Sequence, residues 1–112
     1  MTWQEGISKC QETGGEMVAP SSVEENNYIF SKTFDHNMWI NCHDLEIEGQ
    51  WDCTPDNGGY RNWNMYEPDG GEREICVELE IETGQGRWQD NACLDEDQVI
   101  CKSKEVLATQ AS

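Results

Sequence analysis

Apolar residues recur along this chain with two different periods, and each period marks a different kind of element. Near the start, Trp3, Ile7 and Cys10 stand three to four residues apart, the spacing that lines one face of a helix. Thr2 precedes them and Glu5 follows three residues later. That pair forms a capping box, in which hydroxyl and carboxylate each take a backbone N–H that the first turn leaves unpaired. Gly14-Gly15 ends the helix, because glycine tolerates the left-handed backbone of a helix C-terminus. Ser22 and Glu25 repeat the signature ahead of Val23, Asn27, Phe30 and Phe34, which predicts a second helix of about 12 residues. After Asp35 the period falls to two. Met38-Trp39-Ile40 predicts a strand, and Glu48-Gly49-Gln50-Trp51 turns into a second, making a hairpin. Ile75, Val77, Leu79 and Ile81 alternate with Cys76, Glu78, Glu80 and Glu82, a strand with one wet face. Gln98 to Cys101 predicts a last short strand. Between hairpin and strand, Thr54 to Arg73 is rich in Pro, Asp, Asn and Gly. A loop of about 20 residues inside a small domain is usually functional or disordered.

Composition narrows the partners. The 112 residues carry 7 basic and 23 acidic side chains, a net charge of −16. Nucleic acid is excluded as a natural partner, since phosphates need clustered Lys and Arg. Anionic membrane surfaces are disfavoured for the same reason. No stretch approaches the ~20 apolar residues of a membrane span. High charge and low hydrophobicity would permit disorder, but five tryptophans and six cysteines oppose it. Carboxylates at this density repel one another unless something neutralises them, which already suggests a divalent cation. The length allows one domain, assigned to residues 1–102, with a polar tail over 103–112.

The cysteines are Cys10, Cys42, Cys53, Cys76, Cys93 and Cys101, with no Cys-x-x-Cys among them. A zinc knuckle or thioredoxin-type motif is therefore not expected. A disulfide framework is, and it implies an oxidising compartment and a secreted, extracellular protein, although Met1 to Glu5 does not itself read as a leader. Cys42 and Cys53 lie on the two arms of the hairpin and can face each other. Six cysteines nonetheless allow about 15 connectivities.

Several motifs stand in one order. Trp39-Ile40-Asn41 is followed by Asp44 and then Glu48-Gly49-Gln50-Trp51. Trp63 precedes Glu67-Pro68-Asp69, and Trp88-Gln89-Asp90 begins five residues before Cys93. In these the chain resembles the C-type lectin-like domain family from Thr2 to about Lys102. The family's Trp-Ile-Gly, Glu-Pro-Asn and Trp-Asn-Asp motifs are each matched with one change. The resemblance implies an α+β fold: two helices, two small antiparallel sheets and a long loop, here lacking the family's usual N-terminal strand. It also implies the bridges Cys10–Cys101 and Cys76–Cys93, with Cys42–Cys53 as an additional one. Without the first strand, Gln98 to Lys104 would present an unpaired edge, which invites a homodimer or a folded-back tail.

By the same resemblance, Glu67, Asp69, Glu74, Gln89 and Asp90 are the metal ligands and the carbohydrate-binding residues, and Glu67-Pro68 is a cis peptide. Calcium suits such a set, since it takes 6–8 oxygen ligands at about 2.3–2.6 Å in flexible geometry. Asp69 stands where the family's mannose-type motif has Asn, so that position keeps acceptors and loses a donor. Asp44 and Glu48, sharing Glu74, match an auxiliary calcium site; Ile75 replaces the acid usual beside it, and the alternative is that they are solvated hairpin acids. His43 beside Asp44 makes zinc a second reading there; a surface histidine is the commoner case. Trp39, Trp51 and Trp88 read as core and Trp63 as a loop anchor. Tyr60 and Tyr66 read either as loop struts or as rings for a sugar to stack on.

Three function classes compete. The first is a calcium-dependent carbohydrate-binding module recognising microbial or cell-surface glycans, with a role in innate immunity. The second is a lectin-like protein-interaction module whose calcium is structural. The third, an enzyme, is not expected: no nucleophile has a paired histidine, and Glu67 and Asp69 lack the apolar cover that holds a glycosidase acid protonated.

Overall fold

Thr2 and Ser22 start the two helices. In the computed structural model, which describes residues 1–33, 36–54, 57–68 and 75–103, α1 spans Trp3–Glu12 and α2 spans Val23–Phe30. Thr2 accepts from the Glu5 N–H, and the Glu5 carboxylate takes the Thr2 N–H, completing the capping box. At α2, Ser22 accepts from the Glu25 N–H, but the Glu25 carboxylate reaches back to the N–H and hydroxyl of Ser21 instead. Burial works against the charge on Glu25. The bonds from Ser21 and the Lys102 ammonium at 3.2 Å outweigh it and hold the carboxyl below its ordinary range.

The face that α2 buries differs from the expected one. Asn26 and Ile29 are buried, whereas Val23 and Asn27 are exposed; Phe34 lies outside the described residues. The reason is polar. Asn26 Nδ2 donates to the Gly86 carbonyl at 2.9 Å, and its Oδ1 accepts from the Trp88 indole at 2.7 Å. A buried amide with both ends bonded competes with an apolar side chain for the inside position.

Among the described residues, six short strands form two antiparallel sheets. β1 (Gly15–Met17) pairs with β6 (Cys101–Ser103). The second sheet has the order β3-β2-β4-β5, built from β2 (Met38–His43), β3 (Asp52–Cys53), β4 (Cys76–Leu79) and β5 (Trp88–Asn91). Glu48 and Gly49 make the turn, and the second arm of the hairpin pairs from Asp52. Neither β1 nor β5 is expected from the hydrophobic pattern. The segment Gln98 to Ser103 is not left open on both sides. Its Cys101–Ser103 pairs in register with Met17–Gly15, and Gln98 exchanges backbone bonds with Asn37 and Trp39. At Gly15 a Cβ would strike the Lys102 carbonyl oxygen, so glycine is what lets β1 and β6 approach.

Both faces of the β2–β4 pair are covered. Val18, Ile29, Met38, Ile40, Cys42, Val77, Leu79 and Trp88 pack on one side. On the other, Trp3 and Cys10 of α1 join Met17, Trp39 and Cys76. The wet face expected on β4 is therefore dry: Glu78 and Glu80 are each 1% exposed. Buried carboxylates must be hydrogen-bonded, and these are. Glu80 accepts from the Thr83 hydroxyl at 2.6 Å and from the Glu82 N–H at 2.8 Å. Glu78 accepts amide protons from Asn37, Gln89 and Asn91.

Three disulfides, Cys10–Cys101, Cys42–Cys53 and Cys76–Cys93, use all six cysteines. Cys10–Cys101, 91 residues apart in sequence, ties α1 to β6. Closing so long a loop removes about 4–5 kcal/mol of unfolded-chain entropy in the simple chain model. Cys42 and Cys53 are direct cross-strand partners. No helix among the described residues is long and apolar enough to cross a membrane. The expected tail over 103–112 lies, except for Ser103, outside the described residues.

Candidate functional site

The long loop is clamped onto Trp88. The Trp88 N–H donates to Asn62 O, and its carbonyl accepts from the Asn64 N–H, both at 2.8 Å. The indole takes edge contacts from Tyr60 and Trp63, with centroids 5.7 and 6.0 Å away, and Trp51 meets Trp63 at 5.1 Å. Asn57, itself buried, donates to Pro20 O and Tyr60 O. Arg61 donates to Trp51 O and Tyr60 O. Trp63 is thus the loop anchor and Tyr60 a strut, while Trp51 is half-buried at the edge of the core rather than inside it.

From this stem the chain turns at once. The Glu67 N–H donates to Asn64 O at 3.1 Å, closing a turn whose third residue, Tyr66, has φ +67°. The Glu67–Pro68 peptide follows and is cis, as the resemblance implies. Two hydrogen bonds therefore connect Glu67 through Asn64 to the backbone of β5, the strand that carries Asp90. Asp90 is 5% exposed and sits opposite Val77 in the ladder.

Of the five expected ligands, Glu67 and Asp90 are held on this frame, and Asp69 and Glu74 lie outside the described residues. Gln89 is placed differently. Strand alternation sends its side chain to the face opposite that of Asp90, where its Nε2 donates to Glu78 at 2.5 Å. Glu78 is the neighbour that sequence reasoning missed, and the missing signal is tertiary: α1 covers its face of the sheet.

Asp44 is 3% exposed. Its Oδ2 accepts from the Gly49 N–H at 2.9 Å, and its N–H donates to Ile75 O, the residue after Glu74. Its other carboxylate oxygen is buried and receives no hydrogen bond from the described residues. An orphaned anionic oxygen is costly unless a cation meets it, so the donor chemistry here fits a hard ion of the calcium kind. Zinc at His43 is not supported. His43 Nδ1 accepts from the Leu45 N–H, its ring meets Trp3 edge-on at 5.6 Å, and no three His, Cys, Asp or Glu side chains gather as ion ligands among the described residues.

The sequence model described as the lectin C-type domain matches residues 1–103. C-type lectin domain family 4 member M of Symphalangus syndactylus is 35% identical over 106 residues, which are 89% of this chain and 24% of that protein. The chain thus spans about a quarter of the length of that relative. Among solved structures, the cow C-type carbohydrate-recognition domain of CD23, crystallised in the presence of GlcNAc2Man3 oligosaccharide, superposes with a TM-score of 0.81 at 29% identity. That match covers 90% of this chain and 78% of that one. A calcium-independent type II antifreeze protein superposes with a TM-score of 0.84 at 26% identity, covering 92% and 79%.

Proposed function

The chain belongs to the lectin C-type domain family, and from that premise we propose that it is a calcium-dependent carbohydrate-binding module for microbial or cell-surface glycans. The observation that carries the reading is the clamped loop: Glu67, beside its cis peptide, is hydrogen-bonded through Asn64 to the strand that bears the buried Asp90. Carboxylates of Glu67, Asp69, Glu74 and Asp90 supply the hard oxygen set that calcium prefers. A bound calcium ion supplies the positive centre to which sugar hydroxyl oxygens are drawn. Gln89, whose Nε2 donates to Glu78 on the other face of β5, stands apart from this set.

The chain's own residues set the selectivity. Glu67 and Asp69 accept hydrogen bonds only, so they suit two neighbouring hydroxyls that both donate. The net charge of −16 disfavours acidic sugars. Asp44 and Glu48, with Glu74, form the auxiliary calcium site, favoured by the orphaned oxygen on Asp44. A single shallow site binds weakly, and avidity comes from linked sites; a second copy joined through the Cys101–Ser103 strand would supply them. The setting is extracellular, in keeping with three disulfides, and innate recognition of microbes is the biological role that fits.

A second reading has one specific observation behind it. The calcium-independent antifreeze protein shares the fold, so the fold does not by itself require sugar binding, and a lectin-like protein-interaction module with structural calcium is the alternative. A glycan array run with calcium, with zinc and with chelator separates the two. Glycan signals that need calcium and vanish in chelator support the proposal, and Glu67→Ala then weakens metal and sugar binding together. Calcium-dependent thermal stability with no glycan signal favours the alternative.

A further inference from the structure

Tyr66 occupies a backbone position that disfavours it. The turn Asn64–Glu67 is closed by the Glu67 N–H on Asn64 O, and Tyr66 at its third position has φ +67° while Met65 stays at negative φ. That combination is a type II turn, whose third residue is ordinarily glycine or asparagine because a Cβ crowds the carbonyl there. Tyr66 is the one non-glycine residue with positive φ among the described residues. Packing returns nothing for the strain. Tyr66 is 87% exposed and Met65 74%, and no hydrogen bond, ion pair or ring contact from the described residues engages the tyrosine. The other loop aromatics behave in the opposite way, since Tyr60 and Trp63 both pack against Trp88. Strain retained at an exposed side chain points to a role outside folding.

The position says what that role is. Tyr66 directly precedes Glu67, so an exposed aromatic face stands next to a carboxylate assigned to hydroxyl groups. A pyranose has the complementary build, with hydroxyls around its edge and C–H groups on one face. An amphipathic ring such as tyrosine offers an apolar face to those C–H groups and a polar tip to water. We propose that Tyr66 is a specificity-determining residue that stacks on the apolar face of a pyranose held at Glu67, with Met65 extending the contact to the adjoining sugar unit. The inference rests on the carbohydrate-binding reading above. It restricts the ligand class to neutral oligosaccharides that present an unsubstituted C–H face beside the bound hydroxyls.

The test compares wild type, Tyr66→Gly and Tyr66→Phe on one glycan array with calcium, alongside calcium affinity by calorimetry and thermal midpoints. Tyr66→Gly is expected to unfold at the same or a higher temperature, to keep its calcium affinity, and to lose about three- to tenfold in affinity for the preferred glycans, the range of an aromatic stacking contact. Tyr66→Phe restores most of that binding, because the ring rather than the hydroxyl makes the contact. Undiminished glycan binding by Tyr66→Gly overturns the stacking role and leaves the lectin reading intact. A fall in calcium affinity that accounts for the whole loss overturns it too, since the side chain would then only shape the turn. Wild-type protein that binds no glycan in calcium removes both readings, and capture of a protein ligand lost in Tyr66→Gly would assign the residue to that surface instead.

Discussion

Asp97 and Glu78 meet carboxyl to carboxyl on the inner side of the four-stranded sheet, and the Asp97 carboxyl is the one pushed up, to about 8. Burial is the largest cause, followed by the hydrogen bond to Glu78 and the negative charges of Glu78 and Asp95; the chain's amino terminus pulls weakly the other way. No N–H or O–H of the described residues reaches the buried Asp97 Oδ2, which fits an acid that holds a proton of its own. Glu78 meanwhile accepts three amide donors, from Asn37, Gln89 and Asn91. Aspartate in the unfolded chain ionises near 3.8, whereas here it stays neutral to about 8. The unfolded state therefore binds fewer protons through that window, and stability falls as pH rises from about 4 to about 8. Half-exposure of the group moderates the slope. Asp97→Asn keeps a neutral donor toward Glu78 and removes the slope. In chelator, its thermal midpoint is expected to match wild type at pH 4 and to exceed it by several degrees at pH 8, where ~1 kcal/mol is worth about 4–8 °C in a domain of 60–100 residues. Parallel curves for the two proteins would falsify the assignment.

Asn26 gives a stability prediction that separates a buried amide from ordinary core packing. Asn26→Ala leaves the Trp88 indole N–H, bonded at 2.7 Å to Asn26 Oδ1, without an acceptor. The Gly86 carbonyl is better protected, because Asn62 Nδ2 also donates to it at 2.8 Å. One stranded donor therefore sets the cost, about 1–3 kcal/mol. Denaturant unfolding should show that loss for Asn26→Ala. Asn62→Ala, which leaves Asn26 on the same carbonyl, should cost less.

The same contrast explains what the sequence makes legible. The capping box at Thr2, the N-cap at Ser22 and the facing of Cys42 with Cys53 depend on residues close together in sequence, and local spacing is enough to read them. The inner face of α2 is not local. Asn26 takes it by bonding to Gly86 and Trp88, some 60 residues on. Period-two alternation likewise identifies Glu78 as one face of a strand but cannot say whether that face meets water or α1. Strand β5 is too polar, and β1 too short, to carry a hydrophobic period. In the candidate site, the motifs around Glu67 and Asp90 were legible because their spacing is fixed. The commitment of Gln89 to Glu78 was not, since it depends on the β4–β5 register.

Asp44 should reverse sign between two conditions. Its unbonded buried oxygen destabilises the fold when no cation is near, so in chelator Asp44→Asn is expected to raise the thermal midpoint or leave it unchanged. The Oδ2 bond to the Gly49 N–H can be kept by the Asn carbonyl oxygen. With calcium present the ordering inverts, because the amide is the weaker ligand, and the variant should gain less from calcium than wild type does. Calorimetric titration would show one site fewer in Asp44→Asn. An unchanged site count, with the same gain in stability as wild type, would return Asp44 to a purely structural role in the hairpin.

Calcium removal tests the ligand set as a whole. An ion that binds only the folded protein stabilises it by RT ln(1 + [L]/Kd), about 2.7 kcal/mol at a concentration of 100 Kd. Chelator should therefore lower the thermal midpoint by several degrees, and readdition of calcium should restore it, whereas magnesium, which demands a tighter octahedron, should not at equal concentration. Protons compete for carboxylate ligands, so the calcium-dependent part of the midpoint should shrink as pH falls toward 5. This slope is opposite to that of Asp97 and disappears in chelator, so the two can be read from one pH series measured with and without the ion. Glu67→Ala and Asp90→Ala should each remove most of the calcium-dependent part while leaving the chelator midpoint within about 1 kcal/mol of wild type, the usual size of a single-site change. A calcium shift that survives both substitutions would move the ion away from the Glu67–Asp90 frame.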